Sequence, residues 1–318
     1  MHAILAAARD AAQLCRLVQE KYLVASAKSS GAQTEPVTIA DYGSQAIICR
    51  ALQAHYPDDA VVAEESGEQF LQLVSHEQRG QVLSLLARVL GVPVSEAELI
   101  AWLDFGVGRS ATRTWVIDPI DGTKGFLARR HYVVAVGLLR DGQVSEGIVA
   151  APGYHDGAGA LFYTRDGATW RAPLSDGAGA GEKVTVSQRQ KIEDYIAVQS
   201  YERYHASKSR MGRARDYAGM GAVRLLELDS MEKYALVACG DADLYMRLPR
   251  EGSTYEHKIW DHAAGVALVQ NAGGRVTDLD GGPLDFSQGE TLPNAGLIAS
   301  NGAHHGRVVA AVQRVLAE

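Results

Sequence analysis

Apolar positions repeat along this chain with two different periods. Near the start they recur every three or four residues, which predicts an amphipathic helix whose apolar stripe is formed by Ile4, Ala8, Ala11, Cys15, Val18 and Tyr22. The runs 60–63 and 114–117 are short, continuous and rich in β-branched residues, as buried strands are. The pattern therefore predicts a chain that mixes helices with strands.

The middle of the chain predicts an antiparallel sheet. Residues 132–139 and 143–150 are apolar runs joined by Arg140-Asp141-Gly142, a sequence typical of a hairpin turn. A second pair of strands is predicted at 160–170, and residues 183–187 predict one more strand. Consecutive strands joined by short turns favour a meandering sheet in this region.

The regions on either side of these hairpins have a different pattern. The insert 67–113 is polar and amphipathic, and Ser95 and Glu98 are spaced as a helix capping box. Beyond about residue 189, helical and strand patterns alternate, which favours an α/β arrangement. We therefore predict an N-terminal α+β domain of residues 1–189 and a C-terminal α/β domain of residues 190–318.

Composition narrows the class of protein. The 318 residues are 47% hydrophobic, enough to bury a large core, and the formal net charge of −7 argues against a nucleic-acid partner. The first helical stripe is interleaved with acidic residues, unlike a targeting sequence, and no apolar run is long enough to cross a membrane. These features predict a cytoplasmic protein that does not bind membranes.

The three cysteines agree with that location. Cys15, Cys49 and Cys239 are odd in number and widely spaced, without a CxxC pair. This usage favours buried thiols in a reducing compartment over a disulfide framework. A reactive or regulatory thiol is the alternative.

The stretch 115–126 carries the most specific chemistry. A buried strand leads into Asp118, and Pro119 is predicted to stop that strand because proline fixes φ and biases its predecessor to extended geometry. The chain then folds back so that Asp121 can point at the same spot, while Gly122 and Thr123 offer backbone N–H groups at a helix start, which suits phosphate. An ordinary acidic turn is the alternative interpretation.

Further acidic residues stand at the edges of other apolar segments. Asp41 follows the strand-like Val37-Thr38-Ile39 and opens a helical pattern, Glu64 follows the run 60–63, and Asp261 lies near the start of an apolar helical stretch. If gathered, these acids would need cations to compensate their charge. Carboxylate oxygens select hard ions such as Mg²⁺. The predicted site therefore contains Asp41, Glu64, Asp118, Asp121 and Asp261, with the carbonyl of Ile120 as a further ligand.

These motifs resemble those of the lithium-sensitive, Mg²⁺-dependent phosphatases related to inositol monophosphatase, and most closely the 3′(2′),5′-bisphosphate nucleotidase branch. The resemblance covers most of the chain and is carried by PVTIADYGSQ (36–45), VVAEESG (61–67), DPIDGTKGF (118–126), LDSMEKY (228–234) and KIWDHAAG (258–265). It implies the layered αβαβα sandwich of inositol monophosphatases and sugar phosphatases. Ala206 and His257 depart from the branch, which often has Ser and Glu there.

The resemblance also implies roles for individual residues. Two or three Mg²⁺ ions would be held by the acidic set, and water would attack phosphorus in line. Asp41 and Thr123 match the residues assigned to proton acceptance. The substrate would be contacted by Gly122, Thr123, His205, Ser230, Lys233, Arg247 and Asp261. Lys and Arg supply cations suited to a second phosphate, and His205 could stack on adenine or hydrogen-bond to it.

The predicted function is Mg²⁺-dependent removal of the 3′-phosphate from adenosine 3′,5′-bisphosphate, with its sulfated relative as a further substrate. An inositol phosphate phosphatase is the alternative enzyme. A nucleotide or metal sensor without catalysis is the alternative of a different class. The oligomeric state is not predicted by these patterns.

Overall fold

The computed structural model describes residues 1–23, 35–175, 181–201, 206–252 and 255–318. His205, predicted to contact the nucleotide, lies outside these ranges. The predicted first helix is confirmed as α1 (His2–Val18), followed by one π-helical turn, Gln19–Leu23. Within the described ranges, no helix is long and apolar enough to cross a lipid bilayer.

The first sheet follows the predicted meander closely. Its strands lie in chain order, β1 beside β2 through to β7. Only the β1–β2 pair is parallel, and the later pairs are antiparallel. The strands are β1 (Ala60–Ala63), β2 (Arg113–Asp121), β3 (Val133–Arg140), β4 (Gln143–Ala151), β5 (Ala160–Arg165), β6 (Ala168–Pro173) and β7 (Glu182–Val184).

The second sheet is mixed and uses strands that are distant in sequence. Its order is β12-β14-β10-β8-β9, with β8 parallel to both β9 and β10, and β14 antiparallel to its two neighbours. The strands are β8 (Ile196–Gln199), β9 (Arg224–Glu227), β10 (Leu244–Arg247), β12 (Arg275–Thr277) and β14 (Leu297–Ser300), and a separate short pair is formed by β11 (His257–Lys258) and β13 (Thr291–Leu292).

The helices complete five layers. The remaining α-helices of the described ranges are α2 (Glu35–His55), α3 (Gly67–Leu73), α4 (His76–Leu90), α5 (Glu96–Leu103), α6 (Thr123–Leu127), α7 (Lys208–Tyr217), α8 (Glu232–Ala238), α9 (Ala263–Asn271) and α10 (His305–Leu316). One buried cluster joins α1 and α2 to the first sheet, a second places α8 and α9 between the sheets, and a third joins α7 and α10 to the second sheet. The predicted αβαβα sandwich is confirmed.

The middle layer explains why small residues follow Asp261. A side chain at Gly137 would meet Ala263, and one at Gly147 would come within 2.4 Å of the Ala264 carbonyl oxygen. Helix α9 can therefore lie directly against β3 and β4 only because both contact positions are small. This close packing fixes the start of α9, and with it the position of Asp261.

Two local predictions were wrong. Val37-Thr38-Ile39 is not a strand but lies inside α2, so Asp41 stands within the helix rather than at its beginning. The cost of β-branched residues in a helix is small, and the packing of this long helix on α1 and the sheet outweighs it. Strand β2 does not stop at Asp118 but continues to Asp121 through a bulge. Pro119 has no backbone N–H, and at the bulge it does not have to donate a hydrogen bond to the neighbouring strand.

The two sheets fall on either side of residue 189, since β7 ends at Val184 and β8 begins at Ile196. Their cores are shared, however, because α8 and α9 pack in one cluster with residues of both sheets. The division into domains 1–189 and 190–318 remains a prediction. The capping box of Ser95 and Glu98 is confirmed at the start of α5.

Candidate active site

The predicted acidic residues reach one place from four separate elements. Parallel pairing of β1 and β2 sets Ala63 opposite Ile117, so that Glu64 and Asp118 leave the same end of the sheet. A cavity of about 440 Å³ opens there, and we call it the acidic cavity. Its wall includes Glu64, Asp118, Ile120, Asp121, Gly122, Thr123, Arg247 and Asp261. Asp41 does not belong to the wall but is buried, close enough to Glu64 to be affected by its charge.

The proline turn is held by hydrogen bonds on both sides. The Asp118 carboxylate accepts the Ile120 N–H at 3.1 Å, and the Thr123 hydroxyl donates to the Ile120 carbonyl at 3.4 Å. The Ser44 hydroxyl donates to the Pro119 carbonyl at 3.0 Å. Helix α2 thus holds the bulge through Ser44, and both Asp118 and Asp121 line the acidic cavity.

Helix α2 also fixes the turn that follows β1. The amide of Gln45 donates to the Glu65 carbonyl at 2.6 Å and accepts the Glu65 N–H at 3.0 Å. Ser44 and Gln45 are both fully buried. These two residues position the acidic turns without reaching the cavity, and sequence reasoning assigned them no role. The available signal was their place in the DYGSQ motif, next to Asp41.

A second loop braces the site from the C-terminal half. The Met231 N–H donates to the Asp121 carboxylate. Ser230 has a φ of 71°, and a side chain at Gly122 would come within 2.9 Å of the Ser230 Cβ. Gly122 itself has a φ of 93°, so this close approach in a left-handed conformation requires glycine. The DPIDGT and LDSMEKY motifs are therefore in direct contact.

The carboxyl groups strongly disfavour one another's ionisation. Burial, followed by the charge of Glu65, raises the pKa of Glu64 to about 8. Burial, followed by the charge of Asp261, raises the pKa of Asp121 to about 7. Burial also raises the pKa of Asp118 and Asp41, with Glu64 as the largest neighbouring charge on each. Full ionisation of this group requires a compensating cation.

The donor set fits a hard divalent cation. It consists of carboxylate oxygens and one backbone carbonyl, the ligands preferred by Mg²⁺. In the described part of the chain, no group of three His, Cys, Asp or Glu side chains is already arranged to hold one ion. The fit to a cation therefore rests on the chemistry and charge of the donors.

Two buried cations lie beside the acids. Lys233 donates to the carbonyls of Ser230 and Leu228, and burial lowers its pKa to about 8 even though the charge of Asp121 acts in the opposite direction. Arg247 lies 3.9 Å from the Asp261 carboxylate, and its guanidinium carbon stands 5.4 Å from the centre of the Tyr255 ring. A guanidinium in the cavity wall suits an anionic group, whereas Lys233 carries its charge in a buried position.

The predicted nucleotide contacts are only partly gathered. Arg247 belongs to the cavity wall, whereas Lys233 and Ser230 are buried behind it, in contact with the loop that braces Asp121. Residues that sequence reasoning missed complete the wall; among them are Lys124, Pro249, Arg250, Tyr255, His257 and Ala295.

A buried hydrogen-bond chain supports this missed part of the wall. The Tyr234 hydroxyl contacts His262 Nδ1 at 2.8 Å, His262 Nε2 contacts His257 Nδ1 at 3.2 Å, and His257 Nε2 contacts the Ala295 carbonyl at 3.3 Å. Burial lowers the pKa of His257 to about 4 and that of His262 well below its ordinary value. Both rings are therefore neutral, and each can donate one hydrogen bond and accept another. His257 is thereby held in one orientation.

Comparison with known proteins identifies the family of this chain. The family model described as inositol monophosphatase matches residues 1–317. The chain belongs to the inositol monophosphatase family. This confirms the resemblance drawn from the sequence motifs.

Relatives within the family carry more specific names. The chain is 34% identical to 3′(2′),5′-bisphosphate nucleotidase 2 of Candida albicans, over 88% of this chain and 86% of that protein. It is also 34% identical to the 3′(2′),5′-bisphosphate nucleotidase of Oryza sativa, over 97% of this chain and 92% of the relative.

Solved structures agree on the fold. An inositol monophosphatase from Zymomonas mobilis superimposes with a TM-score of 0.65 at 20% identity, covering 98% of this chain and 97% of that one.

Proposed function

We propose that this protein is a Mg²⁺-dependent phosphatase that hydrolyses the 3′-phosphate of adenosine 3′,5′-bisphosphate to AMP and phosphate, and that also accepts the sulfated relative of this substrate. The observation that carries the proposal is that one cavity wall joins four acids to Arg247; they are Glu64, Asp118, Asp121 and Asp261. A metal-assisted phosphate site and a cation for a second phosphate are thus adjacent. The names of the relatives from Candida albicans and Oryza sativa support the same substrate class.

The chemistry divides between a cation and the protein's own groups. When bound, Mg²⁺ supplies positive charge that neutralises phosphate oxygens and acidifies water. Glu64, Asp118, Asp121 and Asp261, with Asp41 and the Ile120 carbonyl, would hold it. In the reaction the water oxygen forms a bond to phosphorus, the bond to the 3′ oxygen breaks, and that oxygen takes up a proton.

Thr123 and Asp41 are the proposed proton acceptors. The Thr123 hydroxyl donates to the Ile120 carbonyl, so its oxygen lone pairs remain available to accept a hydrogen bond from water. Burial raises the pKa of Asp41 well above the ordinary carboxyl value, which makes its anion a stronger base. Thr123 would accept a hydrogen bond from the water and orient it, and the Asp41 carboxylate would take up its proton.

The second phosphate and the base would be recognised away from the reacting bond. Arg247 is nearly fully charged at any physiological pH and presents a planar set of donors. Its side chain belongs to the cavity wall, where these donors can meet an anionic ligand. Lys233 and Ser230 would support this subsite from behind. His205 is proposed as a further contact on the sequence motif alone.

A phosphate-release panel tests the substrate. Purified protein with Mg²⁺ is given adenosine 3′,5′-bisphosphate, its sulfated relative, inositol 1-phosphate and AMP. We expect the bisphosphate nucleotides to be preferred in kcat/KM. A preference for inositol 1-phosphate would instead support the alternative enzyme, and no Mg²⁺-dependent release from any of them would support the sensor.

The variant Arg247→Ala tests recognition of the second phosphate. It should cost adenosine 3′,5′-bisphosphate roughly 1–3 kcal/mol in kcat/KM, the scale of a hydrogen bond to a charged group, while inositol 1-phosphate barely changes. Arg165→Ala, on the far strand β5, is the matched control. Comparing both substrates in each preparation cancels any loss of active protein. An unchanged substrate ratio would contradict the assignment.

A further inference from the structure

A second cleft lies behind the acidic cavity and shares none of its wall residues. Its volume is about 520 Å³. It is lined by Arg16, Arg129, Arg130, Tyr132 and Glu20, together with the segment around Gly153. We call it the arginine cleft. Three guanidinium groups face one carboxylate there, in a chain whose formal net charge is −7. Such a concentration of positive charge needs an explanation.

Backbone carbonyls hold two of the arginines, Arg16 and Arg129, in place. Arg16 donates through Nη2 to the carbonyls of Pro152 and Gly157, each at 3.0 Å. Arg129 donates to the Gln19 carbonyl at 2.9 Å. A guanidinium has five N–H donors, so these bonds fix each side chain without exhausting its donors. Across the described ranges, neither Arg16 nor Arg129 has a carboxylate within ion-pair distance.

Arg130 connects this cleft to the acidic cavity. Its Nη2 lies 3.2 Å from the carboxylate of Asp229, which belongs to the wall of the acidic cavity. The cleft and the cavity also use opposite ends of one segment, since Thr123 and Lys124 line the cavity and Arg129 and Arg130 line the cleft. The two sites are therefore separate but adjacent.

A buried hydroxyl in the cleft wall is the second observation. Tyr132 is 1% exposed, and its ring packs edge-on against Phe126 at 5.0 Å between ring centres. Among the described residues its hydroxyl has no hydrogen-bond partner. Burial, followed by the nearby Cys15, raises the pKa of this hydroxyl well above its ordinary value and keeps it a neutral donor, while the charge of Arg16 opposes that shift. A buried O–H without an acceptor is costly, and an anion would supply the acceptor.

We propose that the arginine cleft binds a small tetrahedral oxyanion, inorganic phosphate or sulfate, held by Arg16 and Arg129 with the Tyr132 hydroxyl as a donor. Arginine forks suit such oxyanions, and a neutral hydroxyl adds a short, directional bond. The binding site is distinct from the phosphate position in the acidic cavity. It does not depend on which phosphate ester the enzyme hydrolyses.

The test is thermal unfolding of the full chain with Mg²⁺ while sulfate is titrated at constant ionic strength. Sulfate stabilises all proteins weakly through exclusion from their surface, so the informative quantity is the saturable part at low concentration. We expect a saturable rise of a few degrees in the wild type and in the control Arg165→Gln. Arg129→Gln and Tyr132→Phe should lose it, and Arg247→Ala, in the acidic cavity, should keep it.

Tyr132→Phe also gives a test without any anion. If the hydroxyl has no partner, its removal should leave the melting temperature unchanged or raise it, because a buried unsatisfied group disappears. A lower melting temperature would mean that the hydroxyl already has a partner, and would overturn the proposal.

The titration can overturn the proposal in two further ways. A saturable rise that persists in both Arg129→Gln and Tyr132→Phe would locate the anion elsewhere, and loss of the rise in Arg247→Ala would locate it in the acidic cavity. The same titration with inorganic phosphate distinguishes the two ions, since the one with the lower half-saturation concentration is the preferred ligand.

Discussion

The acidic cavity and the arginine cleft are neighbours with opposite charge, and they respond differently to burial. In the cavity, burial and then the neighbouring carboxylates raise the pKa of Glu64 to about 8 and that of Asp121 to about 7, so both groups take up protons near neutral pH unless a cation is present. In the cleft, arginines keep their charge at any physiological pH. The charge of the cavity is thus conditional on pH and metal, whereas that of the cleft is permanent.

This difference in charge affects how each site would be occupied. A group of carboxyls can remain without a ligand by taking up protons, and it then releases them when a divalent cation binds. Guanidinium groups have no such alternative, so they stay charged and are met by water, backbone carbonyls, carboxylates or a bound anion. Among the described residues, the cleft provides carbonyls for Arg16 and Arg129 and a carboxylate for Arg130.

The largest expected effect tests the cavity alone. Asp118→Asn or Asp121→Asn should nearly abolish turnover, because each variant loses an anionic ligand while keeping the shape of the side chain. The fold should survive, since an amide oxygen can still accept the Ile120 N–H at Asp118 or the Met231 N–H at Asp121. The measurements are Mg²⁺-dependent phosphate release and thermal unfolding.

The arginine cleft provides a control for this experiment. The sulfate response proposed for the arginine cleft should remain in both variants, because its donors are untouched. Wild-type rates with unchanged Mg²⁺ dependence would contradict the metal assignment.

A smaller effect is expected at the segment that the two regions share. Thr123→Ala should lower kcat by on the order of 10² to 10⁴, the range for losing a positioned proton-transfer group, with a lesser effect on KM. Thr123→Ser keeps the hydroxyl and should retain most of the activity. If KM alone changed, Thr123 would be a phosphate anchor. Steady-state kinetics on both variants decides between these roles.

The smallest effect concerns stability without metal. Glu64 has a folded pKa of about 8 against an ordinary 4.5, and Asp121 has about 7 against 3.8. Between these values the folded state holds protons that the unfolded state has released. The free energy of unfolding should therefore fall as pH rises through this window, by at most roughly 1.4 kcal/mol per pH unit for each group.

Thermal unfolding in a chelator from about pH 5 to about pH 8 measures this fall. Added Mg²⁺ should reduce the slope and stabilise the protein most at the upper end, because the cation favours the ionised carboxylates. Arginines do not titrate here, so the sulfate response should stay constant across the same range. A melting temperature that rises with pH in the chelator would contradict the mutual destabilisation of the acids.

Much of the fold was predictable because local patterns agreed with the final packing. The helix at the N-terminus, the strand before Glu64, the two hairpins and the capping box of Ser95 were all found from periodicity and turn residues. Predictions failed where longer contacts decided. The strand-like Val37-Thr38-Ile39 belongs to a helix whose stability comes from α1 and the sheet, and the strand at Asp118 continues beyond its proline through a bulge.

The order of residues along the chain already shows which acids and which small residues are neighbours, and those motifs were sufficient to identify the family. The physical reason is that metal ligation and close helix packing require particular side chains at short spacing, such as the two aspartates around Pro119 or the alanines after Asp261.

Which residues distant in sequence line the same cavity follows from the tertiary structure alone. It brings Arg247 to the acidic cavity, keeps Lys233 behind it, and combines Arg16 with Tyr132 in a second cleft. These juxtapositions depend on contacts between layers that are far apart in sequence. No local period encodes them, because burial and charge at each position are set by neighbours that only the packed sandwich supplies.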